Sequence, residues 1–128
     1  MRVLLVHGLA RSPLSLAILA ERLRRAGHRP QFFGYLPLAE SYAHVLRRLV
    51  RRLRGLAADG EPVGLVGHSL GGLLLRHALP FVPNLHVHHL VMLGVPNQPP
   101  RLAPRAWRSA LFRMLTRSCG EVVPRISR

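Results

Sequence analysis

The sequence predicts an α/β fold, a three-layer sandwich with a mostly parallel sheet between two layers of helices. Three observations predict it. Short apolar runs alternate with longer stretches of helical period, which is the signature of successive strand–helix–strand units. Those runs are continuously apolar, as strands covered on both faces are. The chain of 128 residues, 48% of them hydrophobic, has the length and apolar content for one core. No internal repeat or linker divides it, so residues 1–128 read as a single domain.

The elements follow in order. Arg2–Val6 is a short apolar strand stopped by His7-Gly8. Ser12 and Pro13 offer an N-cap and a proline for the first helical position. Leu16, Leu19, Leu23 and Ala26 then repeat at helical spacing, and Gly27 ends the helix. Gln31–Tyr35 is an aromatic strand and Leu36-Pro37 a loop. From Glu40 to Ala58 the chain is amphipathic. Tyr42, Val45, Leu46, Leu49, Val50, Leu53 and Leu56 share one face, and Arg47, Arg48, Arg51, Arg52 and Arg54 crowd the other as a solvated helix back. Asp59-Gly60 and Pro62 make a turn into a third strand, Val63–Val66. Gly67–Gly72 is a glycine-rich turn, and Leu73–Leu79 is a helix that Pro80 helps to end. His86–Leu93 is a fourth strand, Gly94–Pro104 a proline-rich loop, and Arg105–Thr116 a last helix through Trp107, Leu111 and Leu115. From Arg117 onward there is little pattern. Right-handed crossovers would place helices on both faces of the sheet.

Composition narrows the class. No apolar run approaches the roughly 18 residues that span a bilayer. Arg2 and the following apolar run are interrupted by His7, Gly8 and Arg11 too early for a signal peptide. The single cysteine, Cys119, rules out a disulfide scaffold and suits a reducing compartment. A soluble, cytoplasmic protein is therefore expected. The net charge of +14 comes from nineteen arginines and no lysine against five acidic residues. GC-rich codon usage favours arginine over lysine without any selected partner, and a charge of this size also attracts polyanions. No helix-turn-helix or zinc-finger spacing and no RNA-binding aromatic signature accompanies it, so nucleic acid is not an expected partner.

The chemistry concentrates in one turn. Gly67-His68-Ser69-Leu70-Gly71 is a G-x-S-x-G pattern, with Gly72 extending the small-residue patch. Chance gives that pattern in about 4% of chains this long, so its context decides. An apolar strand precedes it and a helix follows. A serine at such a tip exposes its hydroxyl above the sheet, on a strained backbone that only flanking glycines accommodate. The helix start offers N–H groups and positive dipole to a developing oxyanion. His7-Gly8-Leu9 ends the first strand at the same edge of the sheet, where ligand sites of open parallel sheets lie. With Gly8 turning the backbone, the Leu9 N–H would partner the Leu70 N–H.

Three segments in this order, VLLVHGLARSP, EPVGLVGHSLGGLLLRHAL and HLVMLGVPNQ, resemble the first half of an α/β-hydrolase of the esterase/lipase type, over residues 2–98. The resemblance implies an incomplete α/β-hydrolase fold and Ser69 as nucleophile. It implies an oxyanion hole from the backbone of Leu9 and Leu70, with His7, Gly8, Gly67, His68 and Gly71 in the supporting loops. The family hydrolyses carboxylic esters, thioesters and related acyl bonds through an acyl-enzyme, without metal or organic cofactor. The implied partner is a small-molecule or lipid ester. Its catalytic order is Ser, then Asp or Glu, then His. Here the only acidic residue after Ser69 is Glu121, no histidine follows it, and the last histidine is His89. The sequence thus looks like a truncated hydrolase that stops about half-way. The rival reading is an inactive remnant or pseudoenzyme whose arginine-rich surface binds an acidic partner, with an apolar sheet edge left open.

The other candidates are weaker. The side chains of His68 and Ser69 are expected to diverge in a tight turn. His7 shapes the oxyanion loop rather than taking a proton, and His77 lies roughly 12 Å along the helix from Ser69. His28 and His44 read as solvated. His86, His88 and His89 read as a strand-end surface cluster, although His86 and His88 share a face in the manner of zinc ligands. Cys119 reads as an ordinary thiol. Glu21, Asp59 and Glu61 show no pairing that suggests acid–base work.

Overall fold

The computed structural model describes residues 1–8, 16–37 and 39–94. Its elements are β1 (Arg2–Val6), α1 (Ala17–Arg25), β2 (Arg29–Phe33), α2 (Tyr42–Ala57), β3 (Val63–His68), α3 (Leu70–Ala78), a 3₁₀ turn (Leu79–Phe81) and β4 (Val87–Leu93). The strands are all parallel, in the order β2-β1-β3-β4. Leu9, the Ser12-Pro13 cap, the loop after Gly94, the helix predicted at Arg105–Thr116, Cys119 and Glu121 lie outside the described residues.

Two apolar layers sandwich this sheet, because alternate residues of a strand point to opposite faces. Val3, Leu5 and Val66 meet Leu16 and Ala20 of the α1 side. Leu4, Val6, Val63 and Leu65 meet α2 and α3 on the other face. All seven residues of the predicted apolar face of α2 are buried, and this helix supplies more of the larger core than any other element. Ser41 caps it, accepting the His44 N–H at 3.2 Å, so the helix starts two residues after the predicted Glu40. The Glu40 carboxylate instead accepts the Leu36 N–H and Arg48, each at 2.7 Å.

The structure moves β2 two residues earlier than predicted. Its register with β1 runs from Arg2↔Arg29 to Val6↔Phe33. The Arg29 N–H donates to the Met1 carbonyl at 2.9 Å, so Arg29, Gln31 and Phe33 face β1. Pro30 therefore faces the open side, where its missing N–H costs no ladder bond. β3 reaches His68, two residues past the predicted end, because Gly67 and His68 pair with Met92 and Leu93. α3 begins at Leu70 rather than Leu73, and β4 at Val87 rather than His86.

The predicted turn at Asp59-Gly60 is built as expected, with Gly60 at φ 70° and the Asp59 carboxylate accepting the Glu61 N–H at 3.0 Å. Arg2 ties the start of β1 to that turn, donating to Asp59 at 2.8 and 2.9 Å and to the Leu56 and Glu61 carbonyls. At the far side of the described sheet, Leu90, Val91 and Leu93 of β4 are exposed.

Candidate active site

The site is built where β3 turns into α3. Ser69 sits at φ 53° and ψ −117°, and it alone among the described non-glycine residues has a positive φ. That backbone is costly for a residue with a Cβ, and it persists only where neighbours hold it. Here both backbone groups are held. The Ser69 N–H donates to the Leu93 carbonyl at 2.8 Å, and its carbonyl accepts the Gly72 N–H at 3.0 Å. The side chain makes no capping hydrogen bond to the helix, so the hydroxyl is not consumed by the turn. Ser69 is half-buried.

Glycine is required around it for steric reasons. A Cβ on Gly71 would stand 2.2 Å from the Val6 carbonyl oxygen and 2.6 Å from that of His7. One on Gly67 would stand 2.4 Å from the Gly72 Cα. Both contacts are far inside van der Waals range, so α3 can press its first turn onto the end of β1 only without side chains there. The two predicted loops are indeed neighbours, since β1 and β3 are adjacent strands. A Cβ on Gly8 would lie 3.1 Å from the His68 Nδ1 and 3.1 Å from the Ser69 Cβ. The N–H groups of Leu70 and Gly71 open α3 and have no acceptor within the helix. Such donors can stabilise negative charge developing beside Ser69.

His7 is buried and fully committed. Its Nδ1 lies 2.8 Å from the Gly8 carbonyl and its Nε2 3.4 Å from the Tyr35 N–H. These partners set the tautomer: Nδ1 carries the proton and Nε2 accepts. Tyr35 also stacks on the ring at 4.2 Å and donates its hydroxyl to the His7 carbonyl at 2.7 Å. These contacts tie His7 to Gly8 and to Tyr35, just after β2. The sequence reading missed Tyr35, which is 28 positions away and carries no local pattern with His7. Tyr35→Phe leaves the buried His7 carbonyl short of a donor. A loss of about 1–2 kcal/mol in urea unfolding is expected.

No histidine among the described residues hydrogen-bonds the Ser69 hydroxyl. The His68 Nδ1 is buried against Gly8 with no hydrogen-bond partner. His77 faces α2, where its Nδ1 accepts a hydrogen bond from the Tyr42 hydroxyl. Burial, with the Arg76 charge beside it, lowers the His77 pKa below 6.5. The unfolded chain then binds the proton more readily than the folded one. Stability is therefore expected to be full above pH 6.5 and to fall with pH until the folded imidazole itself titrates. Urea unfolding between pH 7.5 and 5 checks this, and His77→Gln should flatten that step.

His88 and His89 lie together because a bulge pairs Val63 with Val87 but Gly64 with His89. Their rings are 4.4 Å apart and exposed, consistent with a surface cluster. Among the described residues no group of three or more His, Cys, Asp or Glu could hold a metal ion.

The parallel α/β sheet agrees with comparison to known proteins. The model of the Alpha/beta hydrolase family matches residues 3–125. The chain belongs to that family. Among solved structures it is similar to an extracellular alpha/beta-hydrolase from a Paenibacillus species, described as sharing homology with tobacco Salicylic Acid Binding Protein 2. That likeness has 18% identity and a TM-score of 0.67, over 94% of this chain and 52% of that one. It is also similar to the esterase EaEST from Exiguobacterium antarcticum, with 18% identity and a TM-score of 0.68, over 93% and 49% of the two chains. A third is tomato Methylketone Synthase I, solved with 2-tridecanone, with 20% identity and a TM-score of 0.64, over 95% and 49%. This alpha/beta hydrolase chain thus spans about half the length of these neighbours. None of the curated proteins matches it. Among its described residues, no helix is long and apolar enough to cross a membrane.

Proposed function

We propose that the chain carries the nucleophile half of a carboxylic ester hydrolase, with Ser69 as the nucleophile. The observation that carries this reading is Ser69 itself: a non-glycine residue held at φ 53° between glycines, its hydroxyl unused by the turn, at the edge where β1 and β3 end. In the proposed reaction the Ser69 Oγ attacks the acyl carbon and its proton passes to a base. The carbonyl oxygen becomes an oxyanion beside the Leu70 and Leu9 N–H groups. Collapse expels the alcohol, and water then releases the acid from the acyl-serine. Membership of the family and an esterase among the structural neighbours support an ester substrate, small or lipid. No cofactor is required by this route, and a cytoplasmic setting suits the lone Cys119.

The base is the weak point of residues 1–128 taken alone. His7 is committed to Gly8 and Tyr35, His77 to Tyr42, and no histidine follows His89. Serine without a base is a poor nucleophile, and hydrolases stripped of triad members retain roughly 10³–10⁴-fold over water from the oxyanion hole and binding. Turnover by these residues alone is therefore expected to be slow.

A fluorophosphonate probe followed by peptide mapping tests the assignment. Labelling at Ser69 supports an activated serine. A probe that labels another residue, or none in a folded sample, leaves the inactive-remnant reading in possession.

A further inference from the structure

A groove of about 630 Å³ runs along the outer side of β2, between that strand and the flank of α2. Arg48, Arg51 and Arg52 line it from one stripe of α2, and Phe32 and Phe33 line it from the strand. The arginine charges are unevenly compensated. Arg48 donates to Glu40 at 2.7 Å and to the Gly34 carbonyl at 3.0 Å, while its guanidinium stands 5.3 Å from the Phe33 ring centre. Among the described residues, Arg52 meets only a neutral partner, the Gln31 side-chain oxygen at 2.8 Å. Arg51 is exposed, and no ion pair among the described residues involves Arg51 or Arg52. Among the described residues, two cationic heads therefore meet the groove without a carboxylate.

Two further features shape it. Gly55 continues the stripe, and a Cβ there would meet nothing within 4 Å. Glycine inside a helix weakens it, and here its effect is to keep the groove wide. On the strand side, the register that turns Arg29, Gln31 and Phe33 toward β1 turns the N–H and C=O of Phe32 outward. Pro30 has no N–H to add, so the edge offers one peptide rung rather than a full ladder.

We propose that this groove docks an extended acidic peptide segment of a partner protein. Its carboxylates pair with Arg51 and Arg52, and one of its peptide units pairs with Phe32. Charge complementarity selects an anion, and the outward Phe32 amide and carbonyl select a polypeptide. A nucleic acid finds no free aromatic face here, because Phe33 is buried under Arg48 and Phe32 packs against the α1 cluster. The groove and Ser69 draw on different residues, so this proposal stands apart from the hydrolase reading.

The test is fluorescence anisotropy of a labelled Glu-Val repeat peptide at about 0.15 M salt. Arg51→Glu with Arg52→Glu is expected to weaken binding by about tenfold or more. Arg22→Glu with Arg54→Glu makes the same change in net charge away from the groove and is expected to leave affinity within about twofold. Gly55→Leu, which fills the groove without touching charge, is expected to weaken binding as well. Circular dichroism confirms that each variant is folded, and Arg51→Gln with Arg52→Gln replaces the reversal if it does not fold. Equal losses from the two reversals would show a diffuse field and overturn the proposal. So would absence of peptide binding, or tighter binding of a single-stranded RNA of equal charge through the same arginines.

Discussion

Replacement of Ser69 by alanine is expected to abolish fluorophosphonate labelling and any hydrolysis of p-nitrophenyl acetate. In a hydrolase with its full catalytic set, loss of the nucleophile costs about 10⁶ in kcat. Residues 1–128 by themselves start lower, so the labelling readout is the more sensitive one. Ser69→Gly sharpens the argument by separating chemistry from strain. At φ 53° and ψ −117° serine pays for its Cβ, whereas glycine adopts that region without penalty. Ser69→Gly should therefore be inert toward the probe and yet more stable, by about 1 kcal/mol in urea unfolding. A glycine variant less stable than the parent would mean that the turn is not strained, and would remove the main support for the nucleophile assignment. Stability gained where activity is lost is the behaviour expected of a functional site.

The second large effect is on folding. Gly71→Ala places a Cβ 2.2 Å from the Val6 carbonyl oxygen and 2.6 Å from that of His7. These are backbone atoms at the end of a central strand, so neither can swing away as a side chain would. Separating α3 from β1 would also disturb Leu70, Leu74 and Leu75, which are buried in the larger core. A loss above about 4 kcal/mol is expected, a large part of the 5–15 kcal/mol that holds a domain together. Soluble yield and the urea midpoint report it. Gly55→Ala is the control, since its Cβ meets nothing within 4 Å and a helix interior favours alanine by about 0.5–1 kcal/mol. If both substitutions behave alike, the cost lies in backbone propensity and not in the packing of α3 on β1.

The outcome for individual residues shows where sequence reasoning succeeds. The apolar face of α2 was legible because the 3.6-residue period forces Tyr42, Val45, Leu46, Leu49, Val50, Leu53 and Leu56 onto one side. β1 was legible because a continuous apolar run ended by His7-Gly8 has few other uses. Element ends were less so. β2 was displaced by two residues because aromatic content marks Phe32, Phe33 and Tyr35 alike, while only pairing with β1 decides which of them ladder. α3 started early because the glycines that lower helix propensity are the ones its contact with β1 demands.

Local order along the chain thus determined the strand–helix alternation, the core face of α2 and the small-residue turn around Ser69. These depend on neighbours within a few positions, where period and turn chemistry act. Only the tertiary structure decided that His7 is locked between Gly8 and Tyr35, that His77 serves Tyr42, and that no carboxylate among the described residues meets Arg51 and Arg52 in their groove. The pairings with Tyr35 and Tyr42 join residues far apart in the chain, and which donor meets which acceptor is set by how strands register and helices pack.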